Sequence, residues 1–351
     1  LRVCDETPDS LIDKGVQMNQ DGQANPAFFG DTVTVPMMLQ KGASLEDARD
    51  WGIVGCIEPH PGGGASEGSP TSGYLNGLKC LELVLHNGVD PLTGKEVGLK
   101  TGDPLKFTGI EQIMDALKAQ CIHCYDNIMR GYNIVVGYHI TYMPTSFSSM
   151  VMEGCIDSGK CTQEGGVKYT NTTTFFCGAA SVADSLAAID TLVFQKHKLT
   201  LAQLLDAMDK NFEGCEDIRQ MLINDAPKFG NDIDYVDAFA REIVNYCADY
   251  VQQPNHKDAR GGQYCLSNLS ETLHVTHGHS TGASADGRLA GTPLSDNASP
   301  SMGVDVQGPT AAMNSVANMQ QIHCHSGTLY NIRFDPKSIS GKKGGEIMRN
   351  M

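Results

Sequence analysis

Capped stretches of apolar residues at helical spacing, separated by short β-branched or aromatic runs, constrain this chain more than any other feature, because they point to helices layered on a few strands. Ser44 precedes Leu45-Glu46-Asp47-Ala48-Arg49, which predicts a short helix that delivers the chain into Gly52 and leaves Cys56 in the loop beyond it. Thr108 and Glu111 have capping-box spacing, and Ile110, Ile113, Met114, Leu117 and Cys121 then share one face, predicting a helix to about Met129. The same pattern predicts helices over 181–194, from Thr200 with Gln203 through Met208, and along Val236, Phe239, Ile243, Val244 and Cys247. Strand candidates are Asn133 to Tyr138 and the alternating Thr328 to Phe334. An α/β architecture follows, and periodicity alone leaves a doubly wound sheet and a barrel equally open. No internal repeat or low-complexity linker divides the chain, so residues 1–351 read as one unit.

Charge narrows the partners. Asp and Glu number 41 against 26 Lys and Arg, and the net charge of -15 argues against a phosphate-binding surface and so against nucleic acid. No stretch approaches the roughly 18 to 20 apolar residues of a membrane span, and residues 1–13 carry no apolar run of signal-peptide type. The expectation is a soluble cytoplasmic protein with no membrane partner and with its 12 cysteines reduced. Cys80 and Cys247 sit at helix-like apolar spacing and read as small core residues.

The stretch Gly55-Cys56-Ile57-Glu58-Pro59 sets a thiol and a carboxylate two residues apart, between residues that favour a tight turn over a helix. Reactive groups are often displayed on such turns. Cys56 could exchange hydrogen and Glu58 take a proton from one substrate. In the blander reading Cys56 packs and Glu58 is a solvated loop carboxylate. The residues by themselves leave both open.

Longer blocks carry a resemblance. Asn25-Pro26-Ala27-Phe28-Phe29-Gly30-Asp31, Ser44 to Asp50 and Gly55 to Pro59 follow one another, and Met152 to Lys160, Asp286 to Asp296, Gly308-Pro309-Thr310-Ala311, Asn314-Ser315-Val316 and Gly327-Thr328-Leu329-Tyr330-Asn331 extend the pattern. Together they resemble the glycyl radical enzymes of the pyruvate formate-lyase superfamily over nearly the whole chain. That resemblance implies part of a ten-stranded α/β barrel, two parallel five-stranded halves set antiparallel, with a cysteine loop near residues 52–62. Cys56 would be the thiyl-radical cysteine and Glu58 its paired base. Also implied are no bound cofactor, a protein-based glycyl radical installed by a separate radical SAM activating enzyme, a small-molecule substrate, a homodimer and a place in anaerobic metabolism.

Pyruvate formate-lyase itself uses two adjacent cysteines, whereas here Gly55 precedes Cys56 and Ile57 follows it. The Gly-Cys-x-Glu form is similar to the lyase and dehydratase branches, which break C-O, C-N, C-S or C-C bonds. Acyl transfer of the formate C-acetyltransferase kind is the second reading, and a non-catalytic binding protein that kept the fold is the third. Tyr74 falls where some amine-eliminating relatives carry an active-site tyrosine and is the substrate-binding candidate, weighed against a core tyrosine. The family's Arg-Val-x-Gly-Tyr signature is absent, and Val135-Val136-Gly137-Tyr138 lies on the wrong side of the matched blocks to replace it. The chain is therefore expected to be an inactive fragment that stops short of the glycyl radical domain and lacks the family's N-terminal half.

Other candidates read as structural. Cys121 and Cys124 form a C-x-x-C on a helix with no second pair at zinc spacing. His274, His277 and His279, and His323-Cys324-His325, have ligand chemistry, yet the resembled family holds no metal of its own. His60 and His86 read as loop or packing residues.

Overall fold

Three parallel strands, Thr71–Asn76, Asn171–Cys177 and Gln263–Ser267, lie side by side with Asn171–Cys177 in the middle. The computed structural model describes residues 1–62, 64–68 and 70–351. All seven residues of the middle strand are buried, as expected of a parallel strand covered on both faces. Its run of threonines offers no apolar alternation, so periodicity does not announce it. Burial is tolerated because the hydroxyls are bonded: Thr172 donates to Asp258 at 2.6 Å, Thr173 to Ser326 at 2.8 Å and Thr174 to the Gly73 carbonyl at 3.1 Å. Helices Gly77–Leu85, Ile110–Tyr142, Ala179–Ile189 and Asp234–Val251 share one apolar core with the sheet, through Leu81, Leu117, Phe176, Leu186 and Val244 among others. Cys80 and Cys247 are buried in that core, as their spacing predicts.

The short helix Leu45–Arg49 forms with the Ser44 side chain accepting from the Asp47 amide. The Thr200 and Gln203 capping box opens Leu201–Asp209 as expected. Several predicted details differ. Gly109, not Thr108, is the N-cap of Ile110–Tyr142, because Gln112 Oε1 takes the Thr108 amide at 2.6 Å and its hydroxyl at 3.3 Å. That helix runs 33 residues and absorbs the predicted strand Asn133 to Tyr138. Extending an existing helix by one residue costs far less than nucleating one, so β-branched residues are carried along, with Val136 buried and Ile134 facing out. The 181–194 prediction holds to Ile189, after which a π-helical turn spans Asp190–Gln195.

The predicted strand Thr328 to Phe334 reduces to one bridge, Asn268 beside Thr328. Beyond it the backbone leaves the sheet, since the Leu329 carbonyl accepts from Ala298 at 3.0 Å and the Asn331 amide donates to Ser299 Oγ at 3.0 Å. Among the described residues no helix is long and apolar enough to cross a membrane.

Candidate active site

Cys56 sits at the tip of a hairpin. Strands Gly52–Val54 and Glu58–His60 pair antiparallel with Val54 opposite Glu58, so residues 55–57 make the turn. Gly55 has φ +75°, where a side chain is disfavoured, and a Cβ there would lie 3.0 Å from Glu58 Oε2. Ile57 points the other way and packs with buried Phe175 and Leu269 and with partly buried Tyr74 and Leu329. Phe175 and Tyr74 lie near the C-terminal ends of their strands, and Leu269 just past Gln263–Ser267, the end where α/β sheets place ligands. Gly327 closes the other side: a Cβ there would come within 3.0 Å of Pro59 Cδ and 3.3 Å of the Ile57 carbonyl. One apolar anchor and one bare glycine thus hold the hairpin tip.

Glu58 is buried, and one oxygen does several things. Oε2 accepts from the Cys56 amide at 3.0 Å and the Ile57 amide at 2.9 Å, closing the turn, and lies 3.5 Å from Cys56 Sγ. Burial, then the negative charge of Glu58 and its hydrogen bond, then Glu271, push the Cys56 thiol above its usual range. Nucleophilic cysteines show the opposite shift. This sulfur keeps its hydrogen.

Tyr74 stands opposite Phe175 in the sheet register, and the two rings stack at 4.4 Å and 10°. Its hydroxyl donates to Glu271 Oε1 at 2.8 Å. Burial and that carboxylate both raise the phenol's pKa, so it stays a donor. The structure therefore brings Cys56, Glu58 and Tyr74 together and adds Glu271, which sequence reasoning missed. Glu271 lies in a turn after Gln263–Ser267, in no motif. Recognising that strand, and asking which polar residues follow its C-terminal end, is the signal that would have found it. Among the described residues, Cys56, Glu58 and Glu271 are the potential metal ligands whose donor atoms converge, all within 4.8 Å of one another. A metal would need the thiolate, whereas these neighbours favour the thiol.

The remaining candidates lie in structural settings. His60 is buried with Nδ1 3.3 Å from Ser66 Oγ, and His86 bonds the Glu82 carbonyl and Asp209. Cys121 and Cys124 are on the long helix, with Cys124 Sγ 3.9 Å from Cys80 Sγ. His274 pairs with Asp296 and His323 with Asp249. In the Asp286 to Asp296 block, Arg288 spends its donors on the Leu289, Thr292 and Gly282 carbonyls and so shapes its own loop.

Residues 1–278 match the family model described as pyruvate formate lyase-like, and residues 294–351 match the one described as glycine radical. The second match corrects the expectation that the chain stops short of the glycyl radical domain. That expectation rested on one five-residue signature, which is a small part of the domain's sequence. The chain is 36% identical over 351 residues to trans-4-hydroxy-L-proline dehydratase of Clostridioides difficile, covering 100% of this chain and 44% of that protein. It is 34% identical over 360 residues to isethionate sulfite-lyase of Oleidesulfovibrio alaskensis, covering 98% and 42%. The glycerol-bound B12-independent glycerol dehydratase of Clostridium butyricum superposes with a TM-score of 0.94 at 34% identity, over 99% of this chain and 44% of that one. The fold is therefore part of a pyruvate formate-lyase type α/β barrel, and the chain spans less than half the length of the relatives it matches.

Proposed function

The chain belongs to the pyruvate formate lyase-like family, and from that premise we propose that it carries the cysteine side of a glycyl radical lyase site. In this reading Cys56 exchanges a hydrogen atom with a small substrate, Glu58 takes the substrate's proton and Tyr74 lines the substrate's position. The observation that carries it is the Cys56 Sγ to Glu58 Oε2 approach of 3.5 Å on an anchored turn, between neighbours that keep the sulfur protonated. A hydrogen-atom donor must hold its hydrogen, so the raised thiol is the useful one here. The segment matched as glycine radical meets this hairpin through Gly327 and Leu329, which supports radical delivery to Cys56 rather than to a distant thiol.

A glycyl radical would supply the unpaired electron by taking the hydrogen of Cys56. The sulfur then takes hydrogen from a hydroxyl-bearing substrate carbon, so that S–H forms and C–H breaks. Glu58 removes the hydroxyl proton. The group on the adjacent carbon departs with its bonding pair, leaving a carbonyl and an unpaired electron on that carbon. The carbon recovers hydrogen from Cys56, and the proton on Glu58 passes to the leaving group. Water, amine or sulfite could leave in this way. Within the same reading, supported by family membership, residues 1–351 form part of one barrel unit, a radical SAM activating enzyme installs the radical, and the protein works as a cytoplasmic homodimer.

The test uses the natural polypeptide that carries this chain, activated anaerobically. Cys56→Ser should abolish turnover of every lyase substrate while the glycyl radical signal in electron paramagnetic resonance persists. Retained turnover would refute the assignment. Pyruvate and coenzyme A should give no acetyl transfer, because no cysteine neighbours Cys56 to carry the acyl group.

A further inference from the structure

The lyase reading leaves the second carboxylate unused. Glu271 brings an oxygen within 4.8 Å of both Cys56 Sγ and a Glu58 oxygen. Its φ of +50° is a conformation that costs a non-glycine residue about 1 kcal/mol or more, and here it carries the carboxylate toward the thiol. Among the described residues no Lys, Arg or His pairs with it. The Tyr74 hydroxyl bonds Oε1, and Glu271 is exposed, so acceptor capacity remains open to a substrate. Two carboxylates and an uncharged thiol therefore surround the place where a substrate carbon must come to meet Cys56. A third negative charge is disfavoured beside two carboxylates, and a hydrogen-bond donor is welcome there.

We propose that Glu271 is the specificity-determining residue of this site and that it selects a substrate bearing an ammonium or hydroxyl group beside the reacting carbon over one bearing a sulfonate or carboxylate there. The proposal rests on the lyase reading and names its substrate class. Glu58 is engaged with the turn amides and takes a proton, whereas Glu271 receives the donor group.

Three probes share a short hydroxyl-bearing skeleton and differ in charge: 2-aminoethanol, propane-1,2-diol and isethionate. Binding to the unactivated natural polypeptide, read by calorimetry, needs no radical and no turnover. The expected order is 2-aminoethanol, then the diol, then isethionate. Glu271→Gln keeps the shape and the acceptor for Tyr74 but removes the charge. It should weaken 2-aminoethanol by about 10- to 100-fold, the size of one charge-assisted hydrogen bond, and narrow the gap to isethionate. Tyr74→Phe keeps the charge and should preserve the order of the three. After activation, the E271Q loss should appear in KM more than in kcat. Isethionate binding best to the wild type, or an unchanged gap between 2-aminoethanol and isethionate in E271Q, would overturn the proposal. Turnover surviving in C56S would instead overturn the lyase reading, so the two failures are distinguishable.

Discussion

Replacing Gly55 with alanine perturbs two things at once, and a second glycine separates them. Gly55 has φ +75° and Gly94, in the turn between Val89–Asp90 and Lys95–Glu96, has φ +68°. A Cβ on Gly94 would meet nothing within 4 Å, whereas one on Gly55 would lie 3.0 Å from Glu58 Oε2. Gly94→Ala should therefore cost only the left-handed backbone term, about 1 kcal/mol. Gly55→Ala carries that term and also displaces a carboxylate that accepts two amides, at 3.0 and 2.9 Å. Weakening one charge-assisted bond adds about 1.5–3 kcal/mol, for a total of about 2.5–4 kcal/mol. Denaturant unfolding of both variants measures the difference. The steric origin is checked by a double-mutant cycle: with Glu58→Ala already present, Gly55→Ala should cost no more than Gly94→Ala does. Equal costs for the two glycines in the wild-type background would refute the view that Glu58 Oε2 closes the turn and is aimed by it.

Other outcomes follow from the same geometry. Cys56 is exposed to reagent, yet it should react with iodoacetamide more slowly than an unperturbed thiol at pH 8, and its pH profile should lie to the alkaline side, because partial burial and the Glu58 charge raise its pKa; Glu58→Gln should speed it. Ile57→Ala removes the plug packed on Phe175 and Leu269 and should cost about 2–4 kcal/mol in denaturant unfolding, with faster hydrogen exchange at the Cys56 amide. Asp184 is buried, and burial raises its pKa from 3.8 to about 7. Between these values the unfolded chain gives up a proton that the folded chain keeps, so its contribution to stability falls as pH rises from about 4 to about 7. Asp184→Asn, which has no proton to lose, should flatten that part of the stability profile.

What could be read from the sequence was local. The Ser44 and Thr200 caps, the core cysteines 80 and 247, and the turn at Gly55 depend on residues within a few positions, and the structure shows each of them. Cys56 and Glu58 are two residues apart, so the turn itself brings thiol and carboxylate together. The strand at Asn171–Cys177 was invisible because its burial on both faces is decided by helices and strands elsewhere in the chain, and its threonines are satisfied only by those partners. Asn133 to Tyr138 has strand-like composition but sits at the end of a growing helix, where cooperativity outweighs propensity. Glu271 meets Tyr74 across a sequence separation of 197 residues. No spacing rule reaches that far. Capping and turn chemistry act over neighbouring residues and are written into the text, whereas the charge a substrate encounters is summed in space over groups that only the folded sheet brings within reach.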